Sequence, residues 1–154
     1  MKTKNIIKFI ISITIPLLLG FIGSYFTMPA IPGWYAELIK PELNPPNWIF
    51  APVWTTLYIL MGISFFIIWQ KGKHYLEMGV FGVQIILNTT WSIFFFGLQR
   101  LDVAFINIIL LWIMIALTMI LFFRISKLAM YLLIPYILWV SFAGYLNLAI
   151  WMLN

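Results

Sequence analysis

The sequence predicts an all-α integral membrane protein, a bundle of five transmembrane helices capped by a long first loop. Three observations carry this. Of 154 residues, 64% are hydrophobic and 8% are charged, against about 25% charged in soluble domains; the mean hydropathy is +1.06. The apolar residues fall into five runs, each near the ~20 residues a helix needs to cross a ~30 Å hydrocarbon core. No run alternates in the ~10-residue pattern of a lipid-facing β-barrel strand. Neither an internal repeat nor a low-complexity tract is visible, so one domain is expected over 1–154.

The first run is expected to be helical over about 5–27. Lys2 and Lys4 precede it, but its apolar core from Phe9 to Phe26 is longer than the core of a secretory signal and no small-x-small cleavage site follows. It reads as a retained first helix, with Lys8 snorkelling one turn in and Pro16 a potential kink. The second helix is expected at about 51–70, ending before Lys71-Gly72-Lys73-His74. The third is expected at about 76–97, with Gly97 as its C-terminal stop. The fourth runs over about 101–124, from Arg100-Leu101-Asp102 to Arg124. The fifth runs over about 128–152, where Pro135 predicts a bend or a locally opened backbone.

The connections are short except the first, residues 28–50. Pro41, Pro45, Pro46 and Pro52 fix their own φ and push the preceding residue out of α geometry, which makes this stretch a stiff, shaped lid. Pro52 suits the first turn of the second helix, where its missing N–H costs nothing. The lid hands Trp54, Thr55 and Tyr58 to the top of the bundle in a set direction.

Charge sets the expected orientation. Lys2, Lys4, Lys8, Lys71, Lys73, Arg124 and Lys127 fall on one side and only Lys40 and Arg100 on the other. The positive-inside bias places the N-terminus in the cytoplasm of a plasma membrane, with the lid outside. Because the basic residues end apolar runs, the net charge of +5 answers to lipid headgroups and not to nucleic acid. The expected partner is the bilayer.

Ionisable residues inside a membrane usually mark function. Here Glu37, Glu42, Glu77, Asp102 and the single histidine, His74, all map to loops or helix ends. No clustered metal site or paired-carboxylate chemistry is expected, one histidine cannot supply a bis-His haem, and the lack of cysteine removes thiolate chemistry. Aromatics and amides remain. Gln84, Asn88, Trp91, Ser92 and Phe95 share one face of the third helix. That face reads either as interhelical glue through Asn88 or as a ligand pocket with one orienting amide and aromatic walls. Tyr136, Trp139, Ala143 and Asn147 share a face of the fifth helix; Trp139 lies too far from the headgroups for an aromatic belt, whereas Trp69, Trp112 and Trp151 suit belt or lipid-facing positions.

Ordered blocks run across the chain: Trp34-Tyr35, Leu38-x-Lys40-Pro41, Pro45-Pro46-x-Trp48-x-Phe50-x-Pro52-Val53-Trp54, Leu57-Tyr58-x-Leu60-Met61-Gly62, Leu87-Asn88-x-x-Trp91-Ser92, Phe95-Phe96-Gly97-Leu98, Pro135-Tyr136-x-x-Trp139 and Phe142-Ala143-x-x-Leu146-Asn147. Together they resemble the translocator protein family, also called tryptophan-rich sensory proteins or peripheral-type benzodiazepine receptors. The resemblance implies five transmembrane helices, a homodimer, and a lid-capped pocket for porphyrins and isoquinoline- or benzodiazepine-type ligands. Carried over, the pocket takes Tyr35 and Pro45 from the lid and Trp54 from the second helix. Asn88, Trp91, Phe94 and Phe95 come from the third, and Trp139, Ala143 and Leu146 from the fifth. Phe94 lies off the stripe read from the spacing.

The resemblance also places Trp54 and Trp139 at positions implicated in light- and oxygen-dependent porphyrin breakdown, so they are the candidate catalytic residues. Porphyrin then enters as ligand or substrate, with no resident cofactor. The C-terminal cholesterol motif of animal members needs a basic residue soon after a tyrosine, and Tyr145 is followed by none. The short N-terminus suits a prokaryotic member. The expected function is a membrane receptor or sensor for tetrapyrroles and related flat hydrophobic ligands. The alternatives are a transporter of porphyrins or other small hydrophobic molecules, which lacks the usual intramembrane charge, and a non-catalytic membrane assembly partner.

Overall fold

The computed structural model describes residues 3–154. Lys2, counted above in the charge bias, lies outside the described residues. Among the described residues five helical spans are long and apolar enough to cross a membrane. They comprise α1 (Thr3–Ala30), α3 (Phe50–Gln70), α4 (Tyr75–Ser92, prolonged by a π-helical turn over Ile93–Gly97), α5 (Leu101–Ile125), and a fifth span broken into α6 (Lys127–Tyr131) and α7 (Ile134–Leu153). A short α2 (Trp34–Glu37) and a 3₁₀ turn (Asn47–Ile49) lie in the lid.

Three local outcomes differ from the expected boundaries or refine them. Helix α1 extends through Pro29, so the lid begins at Ile31. The fifth span breaks at Leu132–Leu133, which places Pro135 in the first turn of α7, where its missing N–H costs no helix hydrogen bond. Gly97 is not a left-handed helix stop. The chain leaves α4 by a widened turn in which Leu98 N–H reaches Ile93 O at 2.8 Å, and Gln99 takes the positive φ of 55°. Gly97 serves close packing instead, because a Cβ there would stand 2.9 Å from the Phe26 ring of α1.

Helix α1 packs antiparallel to α3, as three contacts along their length record. Lys8 Nζ donates to Trp69 O at 3.3 Å. A Cβ on Gly62 would meet Ser12 O at 2.7 Å, and one on Gly20 would run into the Tyr58 ring. These glycines let two helices approach as small residues do in membranes generally. Helix α4 contacts α1 and α5, α5 contacts α7, and α3 contacts α6 and α7. The bundle therefore closes as a ring in the order α1, α3, α7, α5, α4.

The half of this ring away from the lid is filled. Phe65 and Phe81 stack at 4.8 Å, Phe81 and Phe122 at 5.8 Å, and Ser64 Oγ ties α3 to α6 by donating to Ala129 O at 2.7 Å. Met61, Ile68, Ile115 and Phe122 are fully buried here and hold this half together by van der Waals packing, since the surrounding lipid is as apolar as they are. Trp112 and Trp151 face outward, Trp112 with its Nε1–H on Ser141 Oγ at 2.8 Å.

Candidate functional site

The lid-side half of the ring encloses a cavity of about 460 Å³, inside the range of about 300–1,000 Å³ common for small-molecule sites. Among the expected site residues, Tyr35, Trp54, Asn88, Trp91, Phe95, Trp139, Ala143 and Leu146 line it; Pro45 and Phe94 do not. The π-helical turn explains Phe94. It adds a residue to the last turn of the span, so Phe95 and Phe96 both reach the cavity, while Phe94 packs against the cluster of Tyr35, Phe95, Ala104 and Ile150 and its carbonyl accepts from Arg100 N–H at 2.9 Å. Pro45 acts inside the lid, where its carbonyl accepts from Asn44 Nδ2 at 3.2 Å.

One wall was missed altogether. Leu17, Gly20, Phe21, Ser24 and Thr27 of α1 line the cavity, as do Phe50 and Tyr58 of α3. The small and polar residues at 20, 24 and 27 follow i, i+4, i+7 spacing and were the available signal for a face turned away from lipid.

The polar groups form a directed chain. Tyr58 OH donates to Asn88 Oδ1 at 2.7 Å, Asn88 Nδ2 donates to Tyr136 OH at 3.1 Å, and Tyr136 OH donates to Gln84 Oε1 at 2.7 Å. Asn88 thus joins α3, α4 and α7 while also facing the cavity, so the glue and pocket readings describe the same side chain. A second tie runs from Trp91 Nε1–H to Asn147 Oδ1 at 3.0 Å and from Asn147 Nδ2 to Leu101 O at 2.9 Å. Trp139 differs: its buried Nε1–H has no partner. An unmet donor in an apolar setting is costly, and this one stands on a residue that lines the cavity.

The walls are otherwise aromatic and uncharged. Trp54 stacks on Tyr58 at 5.6 Å and meets Tyr136 edge-on at 6.4 Å; Trp91 and Phe95 lie 5.1 Å apart. Among the described residues no Asp, Glu, Lys, Arg or His lines the cavity. Lys40 is engaged by the lid, donating to Leu38 O at 3.0 Å with its Nζ 4.7 Å above the Tyr35 ring. Burial pushes the Tyr35 phenol above its ordinary value, partly offset by its hydrogen bond to Asn44 at 2.9 Å, so the lid presents a neutral hydroxyl at physiological pH. The lid is held to the end of α7 by the Asn154 amide, which pairs with both the N–H and the C=O of Ile39 at 3.0 Å. Such a site selects by shape, stacking and a spare donor. Among the described residues no group of three or more His, Cys, Asp or Glu is placed to hold a metal ion.

The family model described as TspO/MBR family matches residues 12–152. A "Tryptophan-rich protein TspO" of Chlorobaculum tepidum is 44% identical, covering 98% of both chains. One of the same name from Archaeoglobus fulgidus is 44% identical over 97% of this chain and 99% of its own. The "Translocator protein" of Bos taurus is 37% identical over 91% of this chain and 86% of its own.

Proposed function

The chain belongs to the TspO/MBR family of membrane proteins, and from that premise we propose that it is a receptor or sensor that binds porphyrins and related flat hydrophobic ligands in the lid-capped cavity. The observation that carries the reading is an uncharged cavity of about 460 Å³ walled by Trp54, Trp91 and Trp139, one of which holds an indole N–H without a partner. A planar ring gains roughly 0.5–1.5 kcal/mol from each aromatic contact beyond area burial. An acceptor atom on the ligand would meet the Trp139 donor, and Asn88 would hold the Tyr58 wall in position through its hydrogen bond.

Breakdown of bound porphyrin follows from the ligand's own photochemistry. Light excites the ring, dioxygen is the oxidant, and the protein contributes position and exclusion of water. Trp54 and Trp139 are the indoles placed to stack on the ring and to exchange an electron with it. The protein works in a prokaryotic membrane as a homodimer, its N-terminus in the cytoplasm and its lid outside, in keeping with the charge bias and with the bacterial and archaeal relatives.

Protoporphyrin titration into the protein in nanodiscs, followed by tryptophan emission, tests the reading. Saturable quenching at micromolar ligand is expected, and its absence would remove the proposal.

A further inference from the structure

A second void of about 660 Å³ lies on the outside of the bundle, in the seam between α3 and α7. Pro52, Thr56 and Leu60 form one side; Pro135, Leu138 and Phe142 form the other. It is an apolar, open groove in the lid-side half of the seam. Further along, Ser64 and Ala129 close the same seam with their 2.7 Å hydrogen bond. Trp139 lines both the groove and the inner cavity, and no other described residue does.

The surroundings of Trp139 suit a moving part. Its ring lies 6.1 Å from Phe50, which lines the cavity, and 5.7 Å from Phe142, which lines the groove. Phe142 in turn stacks at 6.3 Å on the exposed Tyr145. A file of four rings therefore leads from the cavity to the lipid-facing surface. The Trp139 Nε1–H has no partner, so no hydrogen bond to the indole resists its rotation. Trp91, by contrast, is fastened to Asn147.

The route through the lid is closed in comparison. Asn154 holds Ile39 through two hydrogen bonds, and Tyr35 is bonded to Asn44. A flat apolar ligand is concentrated in the bilayer, so a path that begins there avoids transfer through water.

We infer that the α3–α7 groove is a lateral portal through which apolar ligands pass between bilayer and cavity, with the Trp139 indole as its gate. The inference rests on the pocket reading and adds the path and the moving residue. A gate obstructs passage in both directions, so blocking it slows association and dissociation equally and leaves affinity unchanged.

The chain contains no cysteine, which makes a single-site block practical. Leu138 lines the groove but not the cavity and is 64% exposed, so Leu138→Cys carrying a bulky maleimide should obstruct the groove without disturbing the core. The control is the same adduct on Ile113→Cys, at an exposed position of α5. Protoporphyrin pre-partitioned into nanodiscs is mixed with each protein and exchange is followed by tryptophan quenching. The Leu138→Cys adduct should slow association and dissociation by at least about tenfold each with an unchanged Kd, a barrier increase of about 1.4 kcal/mol, while the Ile113→Cys adduct and unmodified Leu138→Cys exchange as wild type. Normal equilibrium binding with unslowed exchange in the Leu138→Cys adduct would overturn the portal alone. No binding by the unmodified protein would remove the pocket reading and the portal with it.

Discussion

Replacing Gly20 by alanine probes the closest approach in the bundle and the site together. The new Cβ would run into Tyr58 Cε2 and lie 2.6 Å from Cδ2 and Cζ, so the ring has to move. It is held by its stack on Trp54 at 5.6 Å and by the 2.7 Å bond from its hydroxyl to Asn88. Overpacking of this kind costs about 1–3 kcal/mol, and the displaced hydroxyl adds about 0.6 kcal/mol, the average for a transmembrane hydrogen bond. Gly20→Ala should therefore destabilise by roughly 2–3.5 kcal/mol, read by SDS-induced unfolding in mixed micelles. It should also weaken porphyrin binding, since Gly20 and Tyr58 both line the cavity. Tyr58→Phe keeps the ring and should not relieve the clash. Tyr58→Ala removes it, so the double variant should be more stable than the two single costs add to, by a coupling of about 0.5–3 kcal/mol. Additive costs in Gly20→Ala/Tyr58→Ala, or a Gly20→Ala protein as stable as wild type, would refute the packing described for α1 and α3.

Asn88→Leu breaks both bonds that link Tyr58 to Tyr136; at about 0.6 kcal/mol each the stability loss should be near 1 kcal/mol, with a larger loss of ligand affinity by titration. Trp54→Phe and Trp139→Phe should bind protoporphyrin within about tenfold of wild type, near 1.4 kcal/mol, yet lose far more of its aerobic photobleaching at equal occupancy. Bleaching as fast as wild type would make the two indoles walls only. Gly62→Ala drives a Cβ to 2.7 Å from the Ser12 carbonyl, a backbone atom, whereas Gly79→Ala meets open space; in the SDS assay the first should destabilise by about 1–3 kcal/mol and the second should be neutral or stabilising by up to about 1 kcal/mol.

The parts of this structure that depend on hydropathy and on proline were legible from residues alone. Five apolar runs became five spans, and Pro135 marked the break between α6 and α7. Helical spacing placed Gln84, Asn88, Trp91 and Phe95 on one inward side of the third span. Failures came where regular spacing stopped applying. A 3.6-residue period cannot anticipate the π-helical turn that brings Phe96 to the cavity, and the preference of glycine for helix C-termini misassigns Gly97 as a helix stop. The wall from α1 was missed because that helix is apolar throughout and shows little contrast between faces; only Gly20, Ser24 and Thr27 mark the inner side. Pro45 stiffens the lid without touching the cavity, a distinction that loop composition does not contain.

The hydrogen-bond chain also explains what kind of ligand the cavity suits. In a bilayer every buried polar group needs a partner inside the protein, and most of those around this cavity have found one. Asn88 Oδ1 is taken by Tyr58, its amide serves Tyr136, Tyr136 serves Gln84, and the Trp91 indole serves Asn147. These groups are spent on holding helices together, so a ligand competing for them would lose about as much as it gained. Most of the selectivity then falls to the aromatic walls and to the Trp139 N–H, which still lacks an acceptor. A rigid planar molecule with an acceptor at its edge matches that division, because it brings stacking area with little conformational entropy to lose and satisfies the donor without breaking the bundle's own bonds. A flexible, heavily hydroxylated molecule would have to bury polar groups against Trp54, Phe95 and Leu146 with nothing to receive them. The uncharged lining works in the same direction, since it favours ligands that are already dissolved in the membrane and that reach the cavity through the same lipid phase.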